Sequence, residues 1–406
     1  MKYIVLLCDG MADLPLDELG GKTPMEMADK PCMDSLAACS ELGMVKTVAD
    51  GMSPGSDVAN LAVMGYDAST CYTGRSPLEA ANIGITMEDG DLAYRCNLVT
   101  LSDEAEFGNK TMVDYCAGDI HTEQAAEIIA AVRDAFGSER FSFFVGTAYR
   151  HCMIRHNSSV AEGAVKLTPP HDITGRVIGE YLPDDTEVLD LMKCSMEVLA
   201  SHPVNIDRAA KGLPQANAIW LWGQGSRPVL PDYRGMFGVD GAMISAVDLL
   251  KGIGRLSGMD VCEVEGATGY IDTNYEGKTA AAVDALLNQG RDFVYIHVEA
   301  PDECGHRGQL SEKIQAIGDI DRRVLTPLKA ALDDSGEDYR ILILPDHPTP
   351  IALKTHTSDP VPYLLYDSRS DCQVVSHGDF SEAGVANAEI VEPGYSLIRR
   401  LFAWYS

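Results

Sequence analysis

Positive charge is scarce in this chain. Against 61 aspartates and glutamates it sets only 32 lysines and arginines, a formal net charge of −29. A nucleic-acid partner needs a basic footprint over its phosphates, so this balance argues against one. A small anionic substrate stays possible, but it would need local positive charge from metal ions or converging arginines. Long apolar runs are also missing. Nothing approaches the roughly 18 consecutive apolar residues of a membrane span. The apolar run Tyr3–Cys8 stops at Asp9-Gly10, too short for a signal peptide. The eleven cysteines include no CxxC pair and no regular spacing. Free thiols in a reducing cytoplasm are the simplest expectation. No GxxxxGK[ST] phosphate loop, internal repeat or low-complexity tract occurs.

What is present is a chain of 406 residues with 46% hydrophobic content, enough for two domains. Several apolar segments end abruptly in polar residues, as buried parallel strands do. "KYIVLLCDG" ends at Asp9, "RDFVYIHVEAPDECGH" near Asp302, and "YRILILPDH" at Asp346-His347. Between them, "GAMISAVDLLKGIGRL" and "GKTAAAVDALLNQG" read as helices. Alternation of this kind predicts an α/β core with a mostly parallel sheet flanked by helices. The middle of the chain differs, mixing "RFSFFVGTAYRHCMIRH", the turn-rich "LTPPHDITG" and the helix "TEQAAEIIAAVRDAF". It predicts a smaller inserted α+β domain over 97–214, with 1–96 and 215–406 as the core. "NAIWLWGQGSRP" reads as the core strand that resumes after it.

Ligands of open parallel sheets bind at the carboxyl ends of the strands. Asp9 follows the first strand. Asp302 and His306 are four apart, so one helical turn would align them. Asp346-His347 follow "ILIL", and His356 lies in "KTHTSDP". Each alone has an ordinary reading, as a turn residue or a hydrogen-bonded structural histidine. Together, three carboxylates and three imidazoles suit two divalent ions held by oxygen and nitrogen. Cys8 and Cys304 read as packing thiols beside them.

Ser56, in "PGSDVANLAVMGYD", opens a helix-like pattern. It could simply be an N-cap. It could also be a nucleophile, its hydroxyl activated by a metal and its helix N-terminus offering amides to a phosphate. Asn60, one turn on, could donate to a phosphoryl oxygen.

These motifs, with "CDGMAD", "YTGRSPLEAANIGI" and "EGATGYIDTNYEGK", resemble the short, archaeal-type cofactor-independent phosphoglycerate mutases of the alkaline phosphatase superfamily. The resemblance extends over nearly the whole chain. It implies an alkaline-phosphatase-like fold and one ion on Asp302, His306 and His356. A second ion would sit on Asp9, Ser56, Asp346 and His347. Mn2+ leads, with Zn2+, Co2+ or Mg2+ also suited, and no 2,3-bisphosphoglycerate is needed. Ser56 would become a phosphoserine while the inserted domain orients the glycerate. Arg75, Arg95, Arg150, His151 and Lys278 are the expected clamps on the anionic substrate.

Two stretches depart from the mutase pattern. Pro348 in "PDHPTP" stands where many relatives carry serine, and "WLWGQG" lacks the arginine of their glycine loop. Both resemble a subgroup proposed to act as homoserine kinases. Phosphoglycerate mutation is therefore the first expectation and homoserine phosphorylation the second. A phosphomonoesterase or phosphopentomutase comes third, and a metal-stabilised binding protein last.

Overall fold

The computed structural model describes residues 1–370 and 379–402. Among them, thirteen strands form: β1 (Lys2–Cys8), β2 (Glu41–Val45), β3 (Leu92–Leu101), β4 (Met112–Asp114), β5 (Phe141–Thr147), β6 (Arg150–Arg155), β7 (Ala218–Ser226), β8 (Gly241–Ile244), β9 (Asp260–Cys262), β10 (Phe293–Val298), β11 (Tyr339–Leu344), β12 (Val361–Asp367) and β13 (Ile390–Val391). The chain divides into two compact units, residues 1–72 with 229–406, and residues 73–228.

In the first unit the sheet runs β13-β2-β12-β11-β1-β10-β8-β9. It is parallel from β11 to β9 and antiparallel where β12 meets β11 and β2. The central strands are near-continuous apolar runs because they are buried on both faces. Leu7 of β1 pairs with His297 of β10 on one side and Leu344 of β11 on the other. Asp9, Glu299 and Asp346 each follow two residues later, so all three leave the sheet at the same edge.

The segment "GAMISAVDLLKGIGRL" is not one helix. Gly241–Ile244 is β8, paired with β10, and only Asp248–Leu256 is helical. A short apolar run buried on all sides carries no period by which to tell strand from helix.

The second unit is a separate antiparallel sheet, ordered β4-β3-β6-β5 with β7 along the other edge of β3. Helices Thr122–Phe136 and Thr186–Leu199 contribute to its own apolar core. β7 therefore belongs here and not to the parallel core. Its ladder with β3 runs from Leu92↔Ser226 to Val99↔Ala218. That ladder is why the unit spans 73–228 and not 97–214: a cut at 97 would split β3 between two sheets.

Nine described cysteines are free, but Cys39 is disulfide-bonded. The expectation of free thiols throughout fails at that position, because pairing depends on the approach of Cβ atoms in the fold and not on spacing. Among the described residues no helix is long and apolar enough to cross a membrane.

Candidate active site

The strand edge that carries Asp9, Glu299 and Asp346 also carries the helix Ala300–Arg307, on which Asp302 and His306 stand one turn apart. Pro301 sits in the first turn, where no backbone donor is needed, and Gly308 ends the helix in the left-handed region (φ 66°). Gly10 permits the close approach of the two strand ends. Its φ is +59°, and a Cβ there would lie 2.7 Å from the Asp302 Cα.

Two ligand-type clusters result, Asp302 with His347 and His356, and Asp9 with Asp346 and His347. In each, the donor atoms lie within 4.8 Å of one another. His306 joins the first, its Nε2 3.3 Å from Asp302 Oδ2 and 2.8 Å from His356 Nε2. His356 Nε2 is 3.3 Å from Asp302 Oδ1. His347 Nε2 lies 3.4 Å from Asp346 Oδ2, 3.7 Å from Asp9 Oδ1 and 3.1 Å from Ser56 Oγ.

The donor set fits divalent cations on several counts. Asp9 Oδ1 is buried with no hydrogen-bond partner. Burial, then the neighbouring Asp346 and Asp302, push the Asp9 carboxyl well above its ordinary range, so its charged form needs a cation. His306 and His356 turn ring nitrogens toward each other, a gap one proton or one metal can fill. Burial would raise Asp302, yet hydrogen bonds from His306 and His356 hold it well below the usual range. Burial keeps the Cys304 thiol protonated, pushed up to about 11, and raises Cys8 further. The ligand atoms are thus oxygen and nitrogen, with no thiolate.

Ser56 is the first residue of the helix Ser56–Val63, and the cap position is Gly55, with no side-chain cap bond. The Ser56 hydroxyl therefore does not cap; it points to His347.

Asn60 is placed differently from the expectation of a phosphoryl donor. It is fully buried, its Nδ2 donating to Ser56 O and Asp346 Oδ2, both at 2.8 Å, while Oδ1 accepts from the Tyr295 hydroxyl at 2.6 Å. It ties the serine's turn to the Asp346 loop. Lys278 is also fully buried, donating to His297 O at 2.7 Å. Its ammonium supports strand β10 and is not presented to a substrate; burial lowers it to about 8.

Arg75, Arg95, Arg150 and His151 belong to the second unit. Arg95 pairs across the ladder with Cys152 and Asn97 with Arg150, so Arg95, Asn97 and Arg150 share one face of that sheet. Glu79 lies between Arg75 Nε and Arg95 Nε, 2.9 Å from each. The Arg95 N–H is not aligned for a hydrogen bond there, so this contact is an ion pair. The Arg95 guanidinium also stacks 4.4 Å from the Trp222 ring. His151 pairs with Cys96 and lies on the opposite face. Burial lowers it to about 3, and its Nδ1 accepts from Gly146 N at 3.1 Å. It is thus a neutral interior group, placed away from the arginines.

Three participants were not anticipated. His297 Nε2 is 2.8 Å from Asp9 Oδ2, and its Nδ1 is 3.1 Å from Ser245 Oγ. Thr349 donates to Asp302 Oδ1 and lies 3.3 Å from His347 Nδ1. Tyr295 holds Asn60. The signal available was two polar residues, Tyr295 and His297, at alternate positions of the otherwise apolar "FVYIHV".

Residues 37–205 match the family model described as 2,3-bisphosphoglycerate-independent phosphoglycerate mutase. A protein of that name from Methanosarcina barkeri is 50% identical over 369 residues, 90% of each chain. A "probable" one from Geobacter sulfurreducens is 47% identical over 404 residues, 99% of each. Among solved structures, a Pyrococcus horikoshii protein aligns with TM-score 0.81 at 27% identity, covering 100% of this chain and 98% of that one. The cofactor-independent phosphoglycerate mutase of Thermoplasma acidophilum aligns with TM-score 0.65 at 26% identity, covering 99% of each. The chain belongs to the 2,3-bisphosphoglycerate-independent phosphoglycerate mutase family.

Proposed function

We propose that this chain interconverts 3-phosphoglycerate and 2-phosphoglycerate by passing the phosphoryl group through Ser56. The observation that carries this reading is the uncapped Ser56 hydroxyl, 3.1 Å from His347 Nε2 and beside both ligand clusters. Divalent cations would be held by Asp302, His306 and His356, and by Asp9, Ser56, Asp346 and His347, with Mn2+ the first choice. When bound they would supply positive charge against the phosphoryl oxygens and favour the ionised serine.

Ser56 Oγ gives up its proton and bonds to phosphorus as the bond to the departing glycerate oxygen breaks, and that oxygen takes up a proton to become a hydroxyl. The 2-hydroxyl of the retained glycerate then attacks the phosphoserine, and Ser56 is restored. Asn60 and Tyr295 keep the serine's turn registered on Asp346 throughout. Arg75, Arg95 and Arg150 are the groups suited to the substrate's carboxylate. Arg95 stays cationic at neutral pH, since burial lowers it only to about 10. Release of glycerate before the second attack would leave water as acceptor and convert the mutase to a phosphatase.

The homoserine alternative rested on Pro348 and on "WLWGQG". Pro348 bridges Met11 and Ala12, and Trp222 supports Arg95. The relatives at 46–50% identity carry the mutase name. The test is purified chain with Mn2+, offered 3-phosphoglycerate with enolase coupling and, in parallel, homoserine with phosphoryl donors. Enolase-coupled turnover, with a serine phosphopeptide containing Ser56 trapped by mass spectrometry, supports the reading. Phosphohomoserine without turnover of phosphoglycerate overturns it.

A further inference from the structure

Behind the acidic edge lies a fully buried ion pair that none of the proposed steps uses. Lys313 and Asp13 both have side chains with 0% exposure, and Lys313 Nζ is 2.7 Å from Asp13 Oδ2. The ammonium has three N–H groups and meets three acceptors, the others being Ala12 O at 3.2 Å and Thr349 O at 2.8 Å. Ala12 lies on the loop that follows Asp9, and Thr349 on the loop that follows Asp346-His347. Asp13 completes the cross-link by accepting from Ile351 N, at 3.3 and 3.1 Å to its two oxygens. Thr349 N also donates to Ala12 O at 3.2 Å. The Thr349 side chain reaches forward to Asp302 Oδ1.

We infer that Lys313 is a positioning residue that locks the two strand-end loops together and so pre-forms the cation site. The need for such a lock is electrostatic. Asp9, Asp302 and Asp346 converge in a buried space, and without cations they repel one another and favour opening of the loops. A fixed ammonium behind the loops, tied to one backbone carbonyl of each and to Asp13, holds the carboxylates in register. Helix Leu310–Ile320 supplies it from a rigid element: Lys313 shares the buried stripe with Ala316, Ile317 and Ile320. Groups that orient ligands from behind typically change metal affinity or activity by about 10- to 100-fold when removed.

This inference rests on the reading that the edge holds divalent cations, and the measurement separates the two. Lys313→Met/Asp13→Asn removes both buried charges, so neither is left unpaired, and Asn keeps an acceptor for Ile351 N. Mn2+ binding to the full chain is measured by calorimetry, with circular dichroism reporting the fold. The expected result is a native spectrum and Mn2+ affinity weakened about tenfold or more. At saturating Mn2+, kcat should fall while KM for 3-phosphoglycerate stays within about twofold, since misplaced ligands weaken the chemical step and not substrate capture. Asp13→Asn alone leaves the Lys313 ammonium with only its two carbonyl acceptors; wherever circular dichroism shows it folded, it should weaken Mn2+ about tenfold or more as well. A folded variant that binds Mn2+ as the parent does overturns the inference alone. A parent that takes up no Mn2+ overturns the cation reading and this inference with it.

Discussion

Ser56 Oγ and His347 Nε2 stand 3.1 Å apart across 291 residues of sequence. The helix that Ser56 begins has no side-chain cap, and the Ser56 hydroxyl turns to His347, so it contributes little to holding the helix. Ser56→Ala should therefore lower turnover at least about a thousandfold, as loss of a nucleophile does. The melting temperature should change by no more than a degree or two, as for substitutions outside the named destabilising classes. A variant retaining a tenth of parental enolase-coupled activity would mean that the phosphoryl group does not pass through this serine.

Tyr295 acts on the same residue from below. Its hydroxyl is the donor to Asn60 Oδ1, and Asn60 in turn holds Ser56 O and Asp346 Oδ2. In Tyr295→Phe the buried Asn60 oxygen loses that donor, a cost of about 1–3 kcal/mol. Denaturant titration should show that loss. The kcat should fall roughly tenfold. Unchanged stability and kcat would show that Asn60 is held well enough by its other two bonds.

Arg95 and, behind it, Lys278 both read in the sequence as cations for an anionic substrate, and the structure separates them. Arg95 lies on the face it shares with Arg150, while Lys278 is enclosed and bonded to His297 O. Arg95→Met should raise KM for 3-phosphoglycerate at least about tenfold, the scale of a lost charged hydrogen bond. Lys278→Met should leave KM within about twofold and act on stability instead, by about 1–3 kcal/mol for the unsatisfied carbonyl. Initial-rate kinetics on both variants, beside their melting curves, decide the matter. A KM effect at Lys278 would contradict its placement.

The contrast shows which parts of the site are legible in sequence. Asp9 and Asp346 could be read because each ends an apolar strand abruptly, and Asp302 because it follows a third such strand closely on the next helix; parallel strands deliver their ends to one edge. Gly241–Ile244 could not be read as β8, since a short buried run has no period. The strand in "NAIWLWGQGSRP" was visible, but its partner was not, because pairing of β7 with β3 is a long-range choice. Lys278, His151 and Asn60 read as substrate groups because polar identity suggests exposure, whereas all three are buried; Asn60 is held by Tyr295 and Asp346 from far along the chain, and His151 by Gly146 on the neighbouring strand. Lys313 carried a readable sign, a lysine at the buried spacing of Ala316, Ile317 and Ile320. Its partner Asp13 is 300 residues distant, which no local pattern reports.

Metal removal should also leave a signature in pH. In the cation-free chain the His306 pKa is raised to about 9, chiefly by its hydrogen bond to Asp302. An unfolded histidine titrates near 6.5. Protonated His306 thus stabilises the fold fully below about pH 6.5, and this contribution is lost as pH rises toward 9. Asp9, raised by burial and by Asp346, acts with the same sign from lower pH, because its ionisation is disfavoured in the folded chain. His297 and His347, both lowered by burial, act oppositely but only below about 6.5, where the unfolded chain takes up protons that the folded chain refuses. Lys278, lowered by burial to about 8, acts oppositely from pH 8 upward, so the chelator-treated chain should show a melting temperature that falls from pH 6.5 to about 8. With Mn2+ bound, the cation replaces the proton on His306 and the fall should be much smaller, because metal uptake releases protons and strengthens as pH rises. Parallel pH-dependent melting curves for the two forms would separate under this account. Coincident curves would show that His306 is not a cation ligand.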